Sequence, residues 1–190
     1  MSTDPYLYPN SNVLKNKFDL YNQDDLNKIE KEIYDVKIQM SLPKGSFNYN
    51  HLKAIHKFLF EDIYDWAGQE RLIDIAKDNS LFAKPTNIKH EIDKIFHHLL
   101  NESFDHFGHY EMCEKIAKYF NDVNVVHPFR EDNGRVNRAF FSMLARKYGY
   151  KINWSNMDKN KYLEVNILGM HQGDDTPLAN LLFKHSQYLK

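Results

Sequence analysis

The chain has 190 residues, of which 42% are apolar and 14% aromatic, so it can bury the core of one domain and is not disordered. Its 25 Lys and Arg stand against 26 Asp and Glu, and the net charge of −1 gives no general electrostatic reason to bind nucleic acid or an anionic membrane. Cys113 is the only cysteine, which excludes an intrachain disulfide.

The remaining bulk features concern the location of the protein. The start of the chain, "MSTDPYLYPN", lacks the basic and apolar regions of a secretory signal. No stretch approaches the roughly 18 consecutive apolar residues of a membrane span. We therefore expect one domain over residues 1–190 that lies in the cytoplasm and binds neither nucleic acid nor a membrane.

The first part of the chain predicts an irregular arm and two helices. The arm covers residues 1–22, with apolar anchors that include Tyr6 and Phe18. A helix capped by Gln23-Asp24-Asp25 follows, and its apolar stripe consists of Leu26, Ile29, Ile33, Val36 and Met40. A second helix is predicted from about residue 50 to residue 68, and its stripe consists of Leu52, Ile55, His56, Leu59, Ile63 and Trp66.

Residues 70–85 predict the only convincing strand pair of the chain. Two β-capable runs, 72–76 and 81–83, flank Lys77-Asp78-Asn79-Ser80, a composition that is typical of a hairpin turn. Apolar residues at helical spacing then predict five more helices, at about 85–99, 110–123, 133–148, 159–170 and 177–188. The predicted fold class is mainly α, a helical bundle with one small β-hairpin.

The stretch "HPFREDNGRVNR", residues 127–138, concentrates polar side chains where a helix is predicted to begin, near Asn133 or Gly134. The free backbone N–H groups of a helix start, with a glycine beside them, can bind an anion. Arg135 and Arg138 are three residues apart, so they share a helix face and can reach the same anion. Forked guanidinium donors match phosphate oxygens, so this pair favours a polyphosphate.

Two further residues of this stretch complete the predicted chemistry. A carboxylate beside phosphates repels them unless a hard cation lies between, so Glu131 indicates a Mg²⁺ site. His127 is the residue type best suited to accept a proton near neutral pH. The stretch thus predicts that His127 deprotonates a hydroxyl, which attacks a phosphorus held by arginines, backbone amides and Mg²⁺.

The stretch resembles the motif of Fic (filamentation induced by cAMP) proteins, H-P-F-x-[D/E]-G-N-G-R-x-x-R, at every fixed position except one. The similarity extends to "DPYLYPNSNVLKNKFDL", "HLKAIHKFLFEDIYDWAGQERLIDIAK" and "GDDTPLANLL", so it covers nearly the whole chain. The resemblance implies a Fic fold and the activity of a protein adenylyltransferase. Such an enzyme moves AMP from ATP onto a Ser, Thr or Tyr hydroxyl of a target protein.

The resemblance also implies a part for each residue of the motif. His127 is the expected general base, and Glu131 is the expected Mg²⁺ ligand. The residues expected to hold the phosphates of ATP are Asn133 and the backbone at Gly134 for α and β, Arg135 for the β/γ region and Arg138 for γ. Residues 70–85 are expected to form a flap that clamps the target protein by strand addition.

Asp132 is the departure from the motif, because the family has Gly and sometimes Ala at this position of the phosphate cradle. A small residue lets the backbone approach the anion, but Asp tolerates the left-handed region better than most residues, so the loop can still form. Three outcomes are open for its charge. The side chain turns outward, joins Glu131 on the metal, or weakens nucleotide binding.

Many Fic proteins carry an inhibitory helix with [S/T]-x-x-x-E-[G/N], whose glutamate pairs with the second motif arginine, here Arg138. No Ser or Thr of this chain has Glu four residues later. The family includes toxins of toxin–antitoxin pairs, so a small antitoxin-like protein is one candidate source of that glutamate. The other candidate brake is Asp132 itself.

Two alternatives to adenylyl transfer stay open. One is the same fold with another phosphate-containing donor, because members that phosphorylate or transfer phosphocholine alter the small or glycine positions of the motif. Gly134 argues against the phosphorylating type, which resembles this motif with lysine there. The other alternative is a catalytically impaired domain that binds a nucleotide or a partner protein without turnover.

Overall fold

The computed structural model describes residues 4–77 and 80–189. These residues form seven α-helices: α1 Gln23–Lys37, α2 Tyr49–Phe60, α3 Pro85–Leu100, α4 His109–Val126, α5 Asn133–Lys147, α6 Lys159–Gln172 and α7 Thr176–Lys184. They also form two antiparallel strand pairs: β1 Ala76–Lys77 with β2 Ser80–Leu81, and β3 Tyr150–Ile152 with β4 Ser186–Tyr188. The mainly α fold class is confirmed. None of the helices in these ranges combines the length and the apolar character needed to cross a membrane.

The core is built around α4 and α5, the two helices that flank residues 127–132. Helix α4 packs against α3, α5, α6 and α7, while α5 also packs against α2 and β3. The apolar residues that predicted α5 are mostly buried, as Val136, Phe140 and Leu144 are, whereas Met143 and Tyr148 are only partly buried. Each buried side chain of this kind contributes roughly 1.5–3 kcal/mol by leaving water. Residues 127–132 therefore connect two helices that are both packed in the core.

The predicted stripe of α1 is only partly confirmed. Leu26 is buried, but Val36 is 63% exposed and Met40, beyond the end of the helix, is 53% exposed. The second buried residue of α1 is a carboxylate, Glu30. Glu30 bonds to Tyr64 and Arg135, which lie outside α1, so the apolar periodicity of α1 does not indicate that Glu30 is buried.

The second predicted helix is shorter than expected. Helix α2 ends at Phe60, and turns carry the chain on to Gly68, whose φ is +80°. Ile63 and Trp66 belong to the predicted stripe and are buried, although they lie in these turns. The apolar pattern therefore located the core correctly but not the helix end.

The predicted hairpin is confirmed as a strand pair, but its strands are shorter than expected. β1 and β2 have two residues each, with Ala76 opposite Leu81. The flanking residues 72–75 and 82–83 are not strands. Asp78 and Asn79, at the centre of the predicted turn, lie outside the described residues.

The pair of β3 and β4 was not predicted, and the expectation of a helix over 177–188 is wrong at its end. Helix α7 stops at Lys184, and the chain continues as β4. Gly149, with a φ of +86°, lies between the end of α5 and the first residue of β3. The two strands lie far apart in the sequence, so only the tertiary fold brings them together.

The described part of the N-terminal arm, residues 4–22, is irregular apart from one isolated bridge between Leu7 and Leu14. Tyr6 is a buried anchor, whereas Phe18 is 46% exposed, so it was wrongly predicted as one. Asp4 forms an ion pair with Arg130, with 2.8 Å between Oδ2 and Nη2. The Tyr6 hydroxyl accepts a hydrogen bond from the Leu72 N–H at 3.1 Å. The arm therefore contacts both the stretch 127–132 and the flap.

Candidate active site

Residues 127–132, here called the motif loop, connect the end of α4 to the start of α5. Both ends of the loop are left-handed, with φ of 51° at His127 and 64° at Asp132. Asn133 braces the loop, because its side-chain amide accepts from the Phe129 N–H and donates to the Phe129 carbonyl, each at 2.9 Å. The Asn133 side chain is thus engaged by the loop, so a ligand at the start of α5 would meet its backbone N–H.

The imidazole of His127 is oriented by two neighbours. Its Nδ1 lies 3.1 Å from the carbonyl oxygen of Asn124. A carbonyl only accepts hydrogen bonds, so Nδ1 carries the hydrogen and Nε2 is the nitrogen that can take up a proton. The Phe82 ring stacks on the imidazole, with centroids 3.8 Å apart and planes 20° apart. Asn124 and Phe82 thereby hold the tautomer and the ring orientation that a general base at this position requires.

The start of α5 carries backbone N–H groups that point away from the helix. Those of Asn133, Gly134 and Arg135 form no hydrogen bond within the described part of the chain. A Cβ at Gly134 would meet only the Arg138 side chain, at 3.6 Å, so the backbone here is open to a ligand. These N–H groups and the positive end of the α5 dipole can attract an anion.

A cleft of about 350 Å³ lies in front of the motif loop, within the size range of small-molecule sites. Every predicted site residue lines it: His127, Glu131, Asp132, Asn133, Gly134, Arg135 and Arg138. The opposite wall is a face of α6 that was not predicted to be functional, and it consists of Tyr162, Leu163, Asn166, Ile167 and Met170. Leu163 and Ile167 are 53% and 44% exposed, so the cleft pairs a polar floor with an apolar wall.

Arg135 is held by two carboxylates. Its Nη1 lies 2.5 Å from Oε1 of Glu30 and 3.0 Å from Oδ1 of Asp132. The other oxygen of Glu30 accepts a hydrogen bond from the Tyr64 hydroxyl at 2.6 Å. Burial acts to lower the pKa of Arg135, but Asp132 and Glu30 outweigh it and raise that pKa. Arg135 is therefore charged and already paired.

Asp132 turns inward, which excludes the first of the three outcomes considered for its charge. Its side chain is 5% exposed, and its Oδ2 has no hydrogen-bond partner among the described residues. Burial raises the pKa of Asp132, the charge of Glu30 adds to the rise, and Arg135 opposes it. An ionised carboxylate here occupies Arg135 and adds negative charge to the cleft, which works against the binding of phosphates.

Arg138 differs from Arg135 in its surroundings. Within the described ranges the ion pairs formed by α5 belong to Arg135, and Arg138 has no carboxylate partner. Its guanidinium lies over the ring of Tyr162, with 5.7 Å from Cζ to the ring centroid. Arg138 is therefore the motif arginine that can bind an anion in the cleft without first giving up an ion pair.

Glu131 is the exposed carboxylate of the motif loop. Its side chain is 52% exposed, and its Oε2 lies 3.6 Å from Nη1 of Arg130. Among residues 4–77 and 80–189, no three His, Cys, Asp or Glu residues cluster closely enough to hold a metal ion. Proteins commonly hold Mg²⁺ through one or two carboxylates together with phosphate oxygens. The single carboxylate of Glu131 therefore fits a Mg²⁺ that arrives with a nucleotide, and not a metal held by the protein alone.

His56 supports the motif loop from α2, and the sequence indicated it only as part of an apolar stripe. Its Nδ1 accepts a hydrogen bond from the Gly68 N–H at 2.8 Å, so Nε2 carries the hydrogen and donates to the Glu131 carbonyl at 3.3 Å. The ring packs on Phe129, with centroids 4.0 Å apart. Burial lowers the pKa of His56 to about 4, although the bond to Glu131 opposes the shift. His56 is thus a neutral brace under the part of the loop that carries Glu131.

Residues 46–145 match the sequence profile of the Fic/DOC family. The chain is 34% identical over 180 residues to the "Probable protein adenylyltransferase y4lH" of Sinorhizobium fredii, which covers 93% of this chain and 92% of that protein. It is 31% identical over 183 residues to the "Probable protein adenylyltransferase Fic" of Escherichia coli, which covers 95% of this chain and 91% of that protein. The chain belongs to the Fic/DOC family.

The solved structures include a similar domain that holds a nucleotide. It is the N-terminal Fic domain of a VirB-translocated Bep effector protein from Bartonella quintana, with bound ADP. It superimposes on this chain with a TM-score of 0.91 and 25% identity, covering 97% of this chain and 95% of that chain. The Fic fold that the motif implied is confirmed.

Proposed function

We propose that this chain is a protein adenylyltransferase, which moves AMP from ATP to a Ser, Thr or Tyr hydroxyl of a target protein. The observation that carries the proposal is one cleft that joins His127, the unpaired N–H groups at the start of α5 and Arg138. The names of the relatives from Sinorhizobium fredii and Escherichia coli support the same activity. The ADP of the Bartonella quintana domain supports a nucleotide as the ligand.

In the proposed reaction the target hydroxyl oxygen attacks the α-phosphorus of ATP, while Nε2 of His127 takes up the hydroxyl proton. A bond forms between that oxygen and the α-phosphorus. The bond from the α-phosphorus to the α,β-bridging oxygen breaks, and pyrophosphate leaves with its electron pair. The N–H groups at Asn133 and Gly134 stabilise the charge that develops on the phosphate oxygens. His127 then loses its proton to the solvent.

The other residues of the cleft are assigned to the remaining parts of ATP and its Mg²⁺ in this proposal. Arg138 binds the γ-phosphate and Arg135 the β/γ region, the latter in competition with its own carboxylate partners. Glu131 would hold the Mg²⁺, which would supply positive charge to the phosphates. The apolar wall of Leu163 and Ile167 supports a place for the nucleobase, since a base offers a flat apolar face.

The flap, residues 70–85, is the proposed docking segment for the target protein. Phe82 of the flap stacks directly on His127, so a segment bound along the flap would pass close to the base. A small antitoxin-like protein is a further proposed partner, because Arg138 has no carboxylate partner in the described ranges and a foreign glutamate could occupy it. ATP is an intracellular metabolite, which supports the predicted cytoplasmic location.

A restrained or binding-only form of the same domain is the second candidate function. The observation that favours it is the pairing of Arg135 with Asp132 and Glu30, since phosphates have to compete for this arginine. In this form the cleft holds a nucleotide weakly, and turnover is slow or absent. Another phosphate-containing donor is a third form, and the label used in the test separates it from adenylyl transfer.

The test incubates the chain with Mg²⁺, a cell lysate and ATP labelled at the α-phosphate, and in parallel with ATP labelled at the γ-phosphate. His127→Ala serves as the control without the base, and Asp132→Gly restores the residue of the family motif. Label from α-labelled ATP that disappears in His127→Ala supports adenylyl transfer. Label only from Asp132→Gly supports the restrained form, and label only from γ-labelled ATP supports a kinase instead. Absence of label in every arm contradicts the proposal.

A further inference from the structure

Arg71 lies near the base of the flap, and its fully buried guanidinium sits between the two legs of the flap and the motif loop. It is 1% exposed, and the four side-chain hydrogen bonds that it forms with described residues all go to main-chain carbonyl oxygens. Burial lowers the pKa of Arg71, while the charge of Asp74 opposes the shift. A buried charge is costly unless hydrogen bonds satisfy it, so these carbonyls determine where Arg71 lies.

Two of the four carbonyls belong to the end of α4. The Nε of Arg71 donates to the carbonyl of His127 at 2.8 Å, and its Nη2 donates to that of Val126 at 3.2 Å. Its backbone N–H donates to the carbonyl of Pro128 at 2.9 Å. The last carbonyls of a helix lack partners within the helix, and a cation there also meets the negative end of the dipole. Arg71 thus caps α4 at the residue whose side chain is the proposed base.

The other two carbonyls belong to the two legs of the flap. The Nη1 of Arg71 donates to Ile73, before β1, at 2.7 Å, and its Nη2 donates to Ala83, after β2. The Ala83 N–H adds a weaker bond to the carbonyl of Val125 at 3.4 Å. One planar group therefore joins both legs of the flap to the turn that carries His127. A lysine ammonium is a point charge with a different donor geometry and does not match these four carbonyls.

We propose that Arg71 is a positioning residue that fixes the flap against His127 and so sets where the target hydroxyl meets the base. The catalytic part of this inference rests on the proposed function, in which the flap holds the target. A misplacement of about 1 Å can cost on the order of 100-fold in rate. The phosphate site lies on α5, which Arg71 does not touch, so loss of Arg71 separates transfer from nucleotide binding.

The test compares the wild type with Arg71→Lys and with the control Arg146→Lys, which changes an exposed arginine in the last turn of α5. We expect Arg71→Lys to lower kcat for transfer by roughly 10- to 100-fold, while the Kd for ATP stays that of the wild type. We expect faster amide hydrogen exchange over residues 72–77 and 124–128, with unchanged exchange in α2 and α5. Arg146→Lys is expected to match the wild type in every measurement.

Three outcomes of this experiment test the inference. Wild-type kcat and wild-type exchange at the flap in Arg71→Lys would overturn it. It would equally be overturned by a parallel loss of ATP binding with faster exchange throughout α2 and α5, because that pattern means general destabilisation. If the wild type transfers no AMP, the proposed function fails, and the exchange pattern of Arg71→Lys still decides whether Arg71 joins the flap to the motif loop.

Discussion

Glu30 of α1 and Arg135 of α5 form an ion pair, with 2.5 Å between Oε1 and Nη1, and the Glu30 side chain is only 9% exposed. A polyphosphate that enters the cleft has to compete with Glu30 and with Asp132 for this guanidinium. Arg138, one turn further along α5, has no such carboxylate among the described residues. The two motif arginines look alike in the sequence, but in the described part of the structure Arg135 is paired with two carboxylates and Arg138 with none.

Asp132→Gly is expected to tighten ATP binding on the order of 10-fold or more, because it removes a carboxylate beside the proposed phosphate site and releases Arg135 on one side. Glycine also suits the φ of 64° at this position. Isothermal titration calorimetry with ATP and Mg²⁺ measures the change. Asp132→Asn keeps the shape and removes the charge, so it is expected to give part of the same gain. Equal affinity of the wild type and both variants would show that Asp132 is not a brake.

Glu30→Gln is expected to lower the free energy of unfolding by about 1–3 kcal/mol, because Arg135 loses its buried ion partner. Asp132 stays next to Arg135, which keeps the loss below that of a wholly unpaired charge. Urea unfolding measures the change. Glu32→Gln, an exposed position on the same helix, is the matched control and is expected to change stability by less than about 0.5 kcal/mol. The ion pair would be energetically unimportant if the two variants unfolded alike.

Arg138→Ala is expected to weaken the binding of ATP by about 10-fold or more and to leave the binding of AMP nearly unchanged. The reason is that Arg138 is proposed to bind the γ-phosphate, which AMP lacks. Stability is expected to change little, since no described carboxylate loses a partner. Arg146→Ala, in the last turn of the same helix, controls for the loss of an arginine in general. A loss of AMP binding equal to that of ATP would remove Arg138 from the γ-phosphate.

His56 is expected to make the protein less stable as the pH falls from 6.5 to 4. The unfolded chain binds a proton at this residue below its ordinary pKa of 6.5, whereas the folded chain resists it down to about 4. The unfolded state therefore binds more protons in this window, and stability falls by roughly 3 kcal/mol through this residue. Below the lower pKa the loss is complete and goes no further.

The measurement for His56 is the free energy of unfolding as a function of pH, for the wild type and for His56→Gln. Carboxylates that titrate near pH 4 contribute equally to both proteins, so the difference between the two curves isolates His56. We expect the variant to show a shallower slope between pH 6.5 and 4. Parallel curves would mean that His56 titrates in the folded protein as it does in the unfolded chain.

Much of the cleft was predictable because its signals are local. The helix start at Asn133, the glycine beside it and the spacing of Arg135 and Arg138 all lie within a few residues. Every predicted site residue lines the same cleft. Helical periodicity placed most of the buried stripes for the same reason, since a period of 3.6 is a property of each helix alone.

The supporting residues were not predictable, because their partners lie far away in the chain. Glu30 meets Arg135 across 105 positions, and His56 meets the Glu131 carbonyl across 75. Among the described residues, the guanidinium of Arg71 donates to backbone carbonyls alone. Every residue has such a carbonyl, so no pattern of side chains in the sequence indicates the position of Arg71. The wall of α6 has apolar residues on one face, but the sequence does not say whether that face meets the core, the solvent or a cleft.

The sequence by itself determined the family, the mainly α fold and the side chains that meet in the cleft, because motif and periodicity are written within short segments. Only the tertiary structure decided that Asp132 turns inward, that Arg135 is already paired and that Arg138 lacks a carboxylate among the described residues. The physical reason is that burial and ion pairing depend on which distant segments pack together. The sequence left open whether the carboxylate of Asp132 affects nucleotide binding, and the neighbours of Asp132 in the folded chain decide the direction and size of that effect.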